Sequence, residues 1–218
     1  MKKMTYQPEG NYYDKYSSKN PIERRLMNGF FSSLRKMLES TVCSKEESNF
    51  LEAGCGEGHV TEFVKEWLTT NDINMKMFAF DISSTLIEEN IKNNQDIYYF
   101  CHSIYEPIPV EILPEKGRFT CIICSEVFEH LEKPEEAVRN LMNYADKFIV
   151  SVPHEPIWRI MNMCRGKYWL DFGNTPGHIQ HFSTKSFRKM LSRSGLNILQ
   201  MEKPLPWLMA YCEKDRTL

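Results

Sequence analysis

The sequence has little of what would mark a membrane-spanning, secreted or nucleic-acid-binding chain. No apolar run approaches the ~18 residues that a spanning helix needs, so no transmembrane segment is expected. The opening stretch MKKMTYQPEGNYYDKY holds no apolar core of signal-peptide length, and a cytoplasmic chain is expected from that. Neither sign of charge dominates: 27 Lys and Arg stand against 29 Asp and Glu, for a formal net charge of -2. That balance excludes a global pull toward nucleic acid or anionic lipid but leaves room for a local patch. Matched cysteine pairs are also lacking. The seven cysteines are Cys43, Cys55, Cys101, Cys121, Cys124, Cys164 and Cys212. Their odd number, and apolar settings such as FTCIICS, argue for buried free thiols in a reducing compartment. Cys121 and Cys124 have the spacing of half a zinc site or of a redox pair. They fall, however, inside a run that reads as a buried strand, and no second pair matches them. Internal repeats and low-complexity segments are absent too.

What is present is an ordinary globular composition, 42% hydrophobic and 26% charged over 218 residues, enough for one domain with one sizeable core. Residues 1–40 read as an arm and a helix. The arm carries Tyr6, Tyr12, Tyr13 and Tyr16 and is a candidate lid over the cofactor. The helix opens at Pro21, with Ile22, Leu26, Phe30, Leu34 and Leu38 at helical spacing. Residues 45–153 form the expected cofactor-binding core. There the strand-like runs NFLEAG, MKMFAFDIS, DIYYFCHS, RFTCIICSEVF and DKFIVSVP alternate with the helical runs HVTEFVKEWLTT, SSTLIEENIKNN and KPEEAVRNLMNYA. Ser83 or Ser84 is a plausible cap for the second helix, and Pro134 suits the first turn of the third. Continuous apolar strands between amphipathic helices predict a parallel sheet covered on both faces. Residues 154–182 break this rhythm and read as a substrate-side insert. A helix closed by Gly195 and a terminal strand pair follow.

The run Leu51-Glu52-Ala53-Gly54-Cys55-Gly56-Glu57-Gly58-His59 follows a strand and opens a helix. Glycines there let a ligand approach the main chain closely. The nicotinamide-binding spacing G-x-G-x-x-G requires glycine where His59 stands, so a dehydrogenase is disfavoured. Downstream, at the end of the second strand, Asp81 occupies the position from which an acid accepts hydrogen bonds from ribose hydroxyls. It also suits the cap of the next helix.

Together, the E-x-G-x-G-x-G loop, the acid and the strand rhythm make residues 45–200 resemble the class I S-adenosylmethionine-dependent methyltransferases. Ser125-Glu126-Val127-Phe128-Glu129-His130-Leu131 resembles the E-x-x-E-H segment of the ubiquinone-biosynthesis-type group within them. The resemblance implies a doubly wound α/β fold around a mainly parallel seven-stranded sheet. It implies cofactor contacts from Glu52, Gly54, Cys55, Gly56, Asp81, Ile82, Ser103, Ile104, Ser125 and Glu126. Glu52 would lie near the ammonium of the cofactor's amino-acid tail, and Ile82 would pack on adenine. Ser103 departs from the family, which commonly has an Asp there to accept from the adenine amino group; a hydroxyl accepts more weakly.

A hydroxyl acceptor must lose a proton, so a base or a metal is expected near the methyl position. His154, at the end of the fifth strand, and His130 are the candidate bases. Glu126, Glu129, His130 and His181 are the candidate ligands of a divalent ion such as Mg2+, with His178 close to His181 in sequence. Trp158, Tyr168 and Trp169 with Arg159, Arg165 and Lys167 make the insert aromatic and basic. The resemblance implies methyl transfer to a small-molecule or lipid-linked acceptor, with oxygen preferred on the strength of the E-x-x-E-H segment. Two alternatives stand beside that reading: a metal-dependent RNA 2'-O-methyltransferase, which the charge balance disfavours, and a non-catalytic cofactor-binding protein on the same fold. Nothing in the pattern specifies an oligomeric state.

Overall fold

The computed structural model describes residues 20–41 and 48–216. The tyrosine-bearing arm and Cys43 lie outside the described residues. A long helix, α1 (Pro21–Thr41), precedes the alternating elements β1 (Ser48–Ala53), α2 (His59–Thr70), β2 (Met75–Asp81), α3 (Ser84–Asn93), β3 (Tyr98–Cys101), β4 (Cys121–Ser125), α4 (Pro134–Leu141) and β5 (Lys147–Pro153). The expected insert contains α5 (Ile157–Cys164), and the chain continues through α6 (Thr184–Arg193), β6 (Leu196–Glu202) and β7 (Trp207–Lys214).

The strands form one seven-stranded sheet in the order β3-β2-β1-β4-β5-β7-β6. The first five are mutually parallel, and β7 runs antiparallel to both β5 and β6. The strand order reverses between β1 and β4, which opens a crevice at their carboxyl ends where ligands bind in such sheets.

The central strands are mostly apolar on both faces because both faces are covered. Along β1 and β2, Phe50 and Met77 pack into a cluster with α1 and α2, while Leu51 and Phe78 pack into the opposite cluster with α4 and α6. The same alternation separates Cys121 from Cys124, whose side chains enter opposite clusters. Both thiols are buried and free, as the apolar run predicted, and burial raises the pKa of each. Side chains on opposite faces of a strand cannot share a metal or form a disulfide.

The caps explain where the helices start. Ser83, not Ser84, caps α3, its hydroxyl accepting from the Leu86 amide at 3.4 Å. Pro134 opens α4, and Ser183 with Ser186 forms a reciprocal cap on α6. No helix among the described residues is long and apolar enough to cross a membrane.

Candidate active site

Two cavities open at the carboxyl edge of the sheet. The first, about 1210 Å³ including its open mouth, lies over the β1 and β2 ends and the residues after β3 and β4. The second, about 830 Å³, lies between α1, the β4 edge and the insert. Glu126 and His130 line both.

The glycine loop shapes the first cavity. Amides of Gly54 and Cys55 both donate to Phe80 O, at 2.8 and 3.0 Å, which folds the loop onto the end of β2. Gly54 has φ +79, and a Cβ there would lie 2.6 Å from Val127 Cγ2. Gly56 has φ +51 with nothing within 4 Å of where its Cβ would be, so its backbone faces open space. Asp81 fixes the loop from across the cavity: Oδ2 accepts from the Gly56 amide at 2.9 Å and Oδ1 from the Ser83 amide at 2.9 Å. Sequence reasoning missed Asn90, a buried α3 residue whose Nδ2 donates to Gly56 O at 2.8 Å. An asparagine inside an amphipathic helix carries no signal of its own.

Glu52 is buried at the end of β1 and accepts a hydrogen bond from the Thr61 hydroxyl. Burial, with Asp81 nearby adding repulsion and the Thr61 bond opposing both, pushes its pKa up to about 8. The carboxyl therefore holds its proton to higher pH than an ordinary glutamate does. All ten residues expected to contact the cofactor line this cavity. Ile82 is 55% exposed there, and the Ile104 carbonyl is held by Asn140 Nδ2 at 2.9 Å. His102, Tyr105, Val127 and Leu131 also line the wall without having been assigned a role, as do Glu57, Val60 and Phe80.

At the shared wall Glu126 adopts φ 56, a left-handed conformation that a non-glycine residue holds only when its surroundings over-determine it. It follows β4 directly, and its amide donates to Ser151 O at 3.0 Å. His130 Nδ1 lies 3.0 Å from Gly177 O. A carbonyl can only accept, so Nδ1 carries the hydrogen and Nε2 is the basic nitrogen of the neutral ring. The His130 and His178 rings meet edge to face at 4.9 Å, and His178 stacks on Trp158 at 6.0 Å.

Two expectations are corrected here. His154 lines neither cavity; its Nε2 is 3.4 Å from Thr184 Oγ1 and its amide donates to Pro206 O, so it joins β5 to the α6 and β7 sides. Burial and Lys203 lower its pKa. The end of a strand places a residue at the correct edge but does not decide which way its side chain turns. The expected metal ligands are likewise regrouped. Ligand atoms of Glu129, His130 and His178 lie within 4.8 Å of one another, whereas His181 accepts from Arg159 Nη2 at 2.9 Å and stands 3.8 Å from Glu155. A turn at Thr175, whose carbonyl accepts from the His178 amide at 3.1 Å, carries His178 inward. Glu126 lines the cavities but is outside this cluster.

The second cavity is aromatic and cationic. Trp158, Tyr168 and Trp207 line it with Arg165 and Lys167, and α1 contributes Glu23, Leu26 and Met27. Arg165 bonds Glu23 at 3.2 Å and Asn162 Oδ1 at 2.7 Å, which ties the insert to the start of α1. Burial, and then Arg165 beside it, lowers the Lys167 pKa. Arg159 and Trp169, expected with this group, point elsewhere: Arg159 to Glu155 and His181, Trp169 to solvent.

Residues 23–201 match the methyltransferase-domain family, and the chain belongs to that family. The family is that of a methyltransferase domain, whose expected cofactor is S-adenosylmethionine. Among curated relatives, the malonyl-[acyl-carrier protein] O-methyltransferase of Bacillus cereus is 27% identical over 137 residues. That stretch is 61% of this chain and 44% of the relative, so under half the relative's length is spanned. Among solved structures, the CMeT domain of the citrinin polyketide synthase superposes with a TM-score of 0.65 at 14% identity, over 90% of this chain and 57% of that one. A methyltransferase from Aquifex aeolicus gives 0.60 at 15%, over 88% and 93%. At these identities the likeness to solved structures is one of fold.

The first cavity fits the cofactor. Open backbone at Gly56 admits close approach, Asp81 keeps acceptor capacity beyond its two amide bonds, and Glu52 offers a carboxyl deep in the wall.

Proposed function

We propose that the chain transfers a methyl group to an oxygen of a small-molecule or lipid-linked acceptor seated in the second cavity. The carrying observation is that the two cavities meet at Glu126 and His130. Asp81 and the Gly54–Gly56 backbone hold the nucleoside, and Glu52 receives the ammonium of the tail. Bound S-adenosylmethionine supplies an electrophilic methyl group on sulfur. His130 takes the acceptor's proton at Nε2, with Nδ1–H anchored on Gly177 O. Trp158, Tyr168 and Trp207 exclude water and fix the acceptor's angle, and positioning contributes much of the acceleration in such a displacement. The preference for oxygen is supported by the E-x-x-E-H resemblance and by the O-methyltransferase activity in the Bacillus cereus relative's name.

A second reading adds a divalent ion. Glu129, His130 and His178 offer one carboxylate and two imidazoles, a donor set suited to such a cation. Those three residues would hold it, and it would supply Lewis acidity toward an acceptor hydroxyl.

The test is methyl transfer from S-adenosylmethionine to a panel of phenol, alcohol, carboxylate and amine acceptors, read by mass shift. Oxygen methylation that falls about 100-fold in His130→Gln is expected for hydroxyl acceptors. Products methylated only on nitrogen, or hydroxyl transfer indifferent to His130, would overturn the proposal.

A further inference from the structure

The turn Trp169–Asp171 and the residue after it display three large apolar side chains to solvent. Trp169 is 64% exposed, Leu170 96% and Phe172 78%. Scattered exposed leucines are ordinary, but three adjacent large apolar groups on one protruding turn are a patch. The backbone is bent to hold them out. Tyr168 and Phe172, which flank the turn, have φ 54 and 49, left-handed conformations unfavourable for aromatic residues. Gly173 anchors the base of the turn against α5, where even a Cβ would lie 2.3 Å from Arg159 O. The protrusion is thus a shape the chain maintains at a conformational cost.

Its position is specific. Lys167 and Tyr168, immediately before the turn, line the second cavity, and Arg165 reaches Glu23 at the start of α1. The turn therefore stands at the rim of the acceptor cavity. Half-buried Lys167 precedes the turn and Asp171 lies in it, while Arg24 and Arg25 are exposed at the start of α1, the helix end that the Glu23–Arg165 pair ties to the insert.

We propose that this rim is a membrane-docking surface: Trp169, Leu170 and Phe172 enter the headgroup–acyl boundary of an anionic lipid surface. The cations beside them meet the lipid phosphates. A tryptophan and a phenylalanine beside a leucine, bordered by Arg and Lys, are the side chains that seat a monotopic protein at that boundary. The three side chains present on the order of 400–500 Å², short of the ~800 Å² per partner of a standard protein interface. A small convex tip suits insertion better than face-to-face pairing. Docked in this way, the acceptor cavity would open toward the lipid, so a lipid-linked acceptor could enter without crossing water. The surface itself goes beyond the proposed reaction and does not depend on it.

The test uses the full chain with phosphatidylcholine vesicles, with and without phosphatidylglycerol, and reads partition by co-sedimentation. Binding to the anionic vesicles is expected, weakening with salt. Leu170→Asp should reduce it roughly tenfold or more, and a Trp169→Ser/Leu170→Ser/Phe172→Ser variant should abolish it. S-adenosylhomocysteine affinity should be unchanged in both, because none of the three residues lines the cofactor cavity. If the triple variant fails to fold, Leu170→Asp decides alone, since a side chain this exposed supports no core. Absence of vesicle binding, or binding indifferent to these substitutions, would overturn the proposal. So would a patch-dependent self-association, or retention of an acidic carrier protein without vesicle binding.

Discussion

Cofactor binding should expel a proton from Glu52. The carboxyl is buried, and burial pushes its pKa up to about 8 from an ordinary 4.5. If the cofactor's ammonium is received by the ionised carboxylate, binding below pH 8 must first remove that proton. At pH 6, about two units lower, the cost is on the order of 3 kcal/mol, or roughly a hundredfold in affinity. Calorimetric titration with S-adenosylhomocysteine between pH 6 and 9, in buffers of different ionisation heat, reads both affinity and protons released. Wild type should release close to one proton at pH 6 and bind progressively tighter as pH rises toward 8. Glu52→Gln should lose that dependence and provides the blank for the ligand's own amino group. Stability runs the other way. Because the folded pKa is raised, the folded state holds the proton more tightly than the unfolded one between about 4.5 and 8. The Glu52 contribution is then lost as pH climbs through that window. Glu52→Gln should therefore melt above wild type at pH 9, with the gap closing by pH 5. A flat affinity profile with no proton release in wild type would refute the assignment of Glu52 to the ammonium.

Four further outcomes are expected. Gly54→Ala should cost more than Gly56→Ala, since both meet a positive φ worth ~1–2 kcal/mol to a Cβ but only Gly54 also meets Val127 at 2.6 Å; thermal melts of the two variants compare them. Asp81→Ala should weaken S-adenosylhomocysteine binding by about 100-fold, because one carboxylate anchors the Gly56 amide and, on the proposed reading, would also accept from ribose, and calorimetry would show it; an unchanged affinity would remove Asp81 from the site. Turnover should be nearly unaltered in His154→Ala, which lines neither cavity, and depressed in His130→Gln. On the second reading, metal-stripped protein should take up one divalent ion, and Glu129→Gln or His178→Ala should lose it; titration with no uptake would dismiss that reading.

The sheet was legible because its signals are local and redundant. Doubly covered strands are apolar on both faces over most of their length, and Gly54, Asp81, Ser83 and Pro134 sit where a turn, a strand end or a cap requires their chemistry. The cofactor cavity was legible for the same reason, since it is built from strand ends and the loops directly after them. The acceptor side was not. Which of His154, His178 and His181 turns inward depends on a hydrogen-bonded turn at Thr175 and on the competing partners Thr184 and Arg159. Those are tertiary facts with no periodicity to betray them. The contribution of α1 to the second cavity, through Glu23, Leu26 and Met27, arises from contact with an insert over a hundred residues away. Glu23 is among them, buried against Arg165 by that contact.

The account rests on adjacency: donor and acceptor must meet where Glu126 and His130 form a common wall. A crystal structure with S-adenosylhomocysteine tests this directly. The nucleoside should lie between the Gly54–Gly56 backbone and Asp81, with its sulfur directed at His130 and the cavity beyond. A sulfur turned away from that wall, or product bound elsewhere on the protein, would contradict the proposed reaction path.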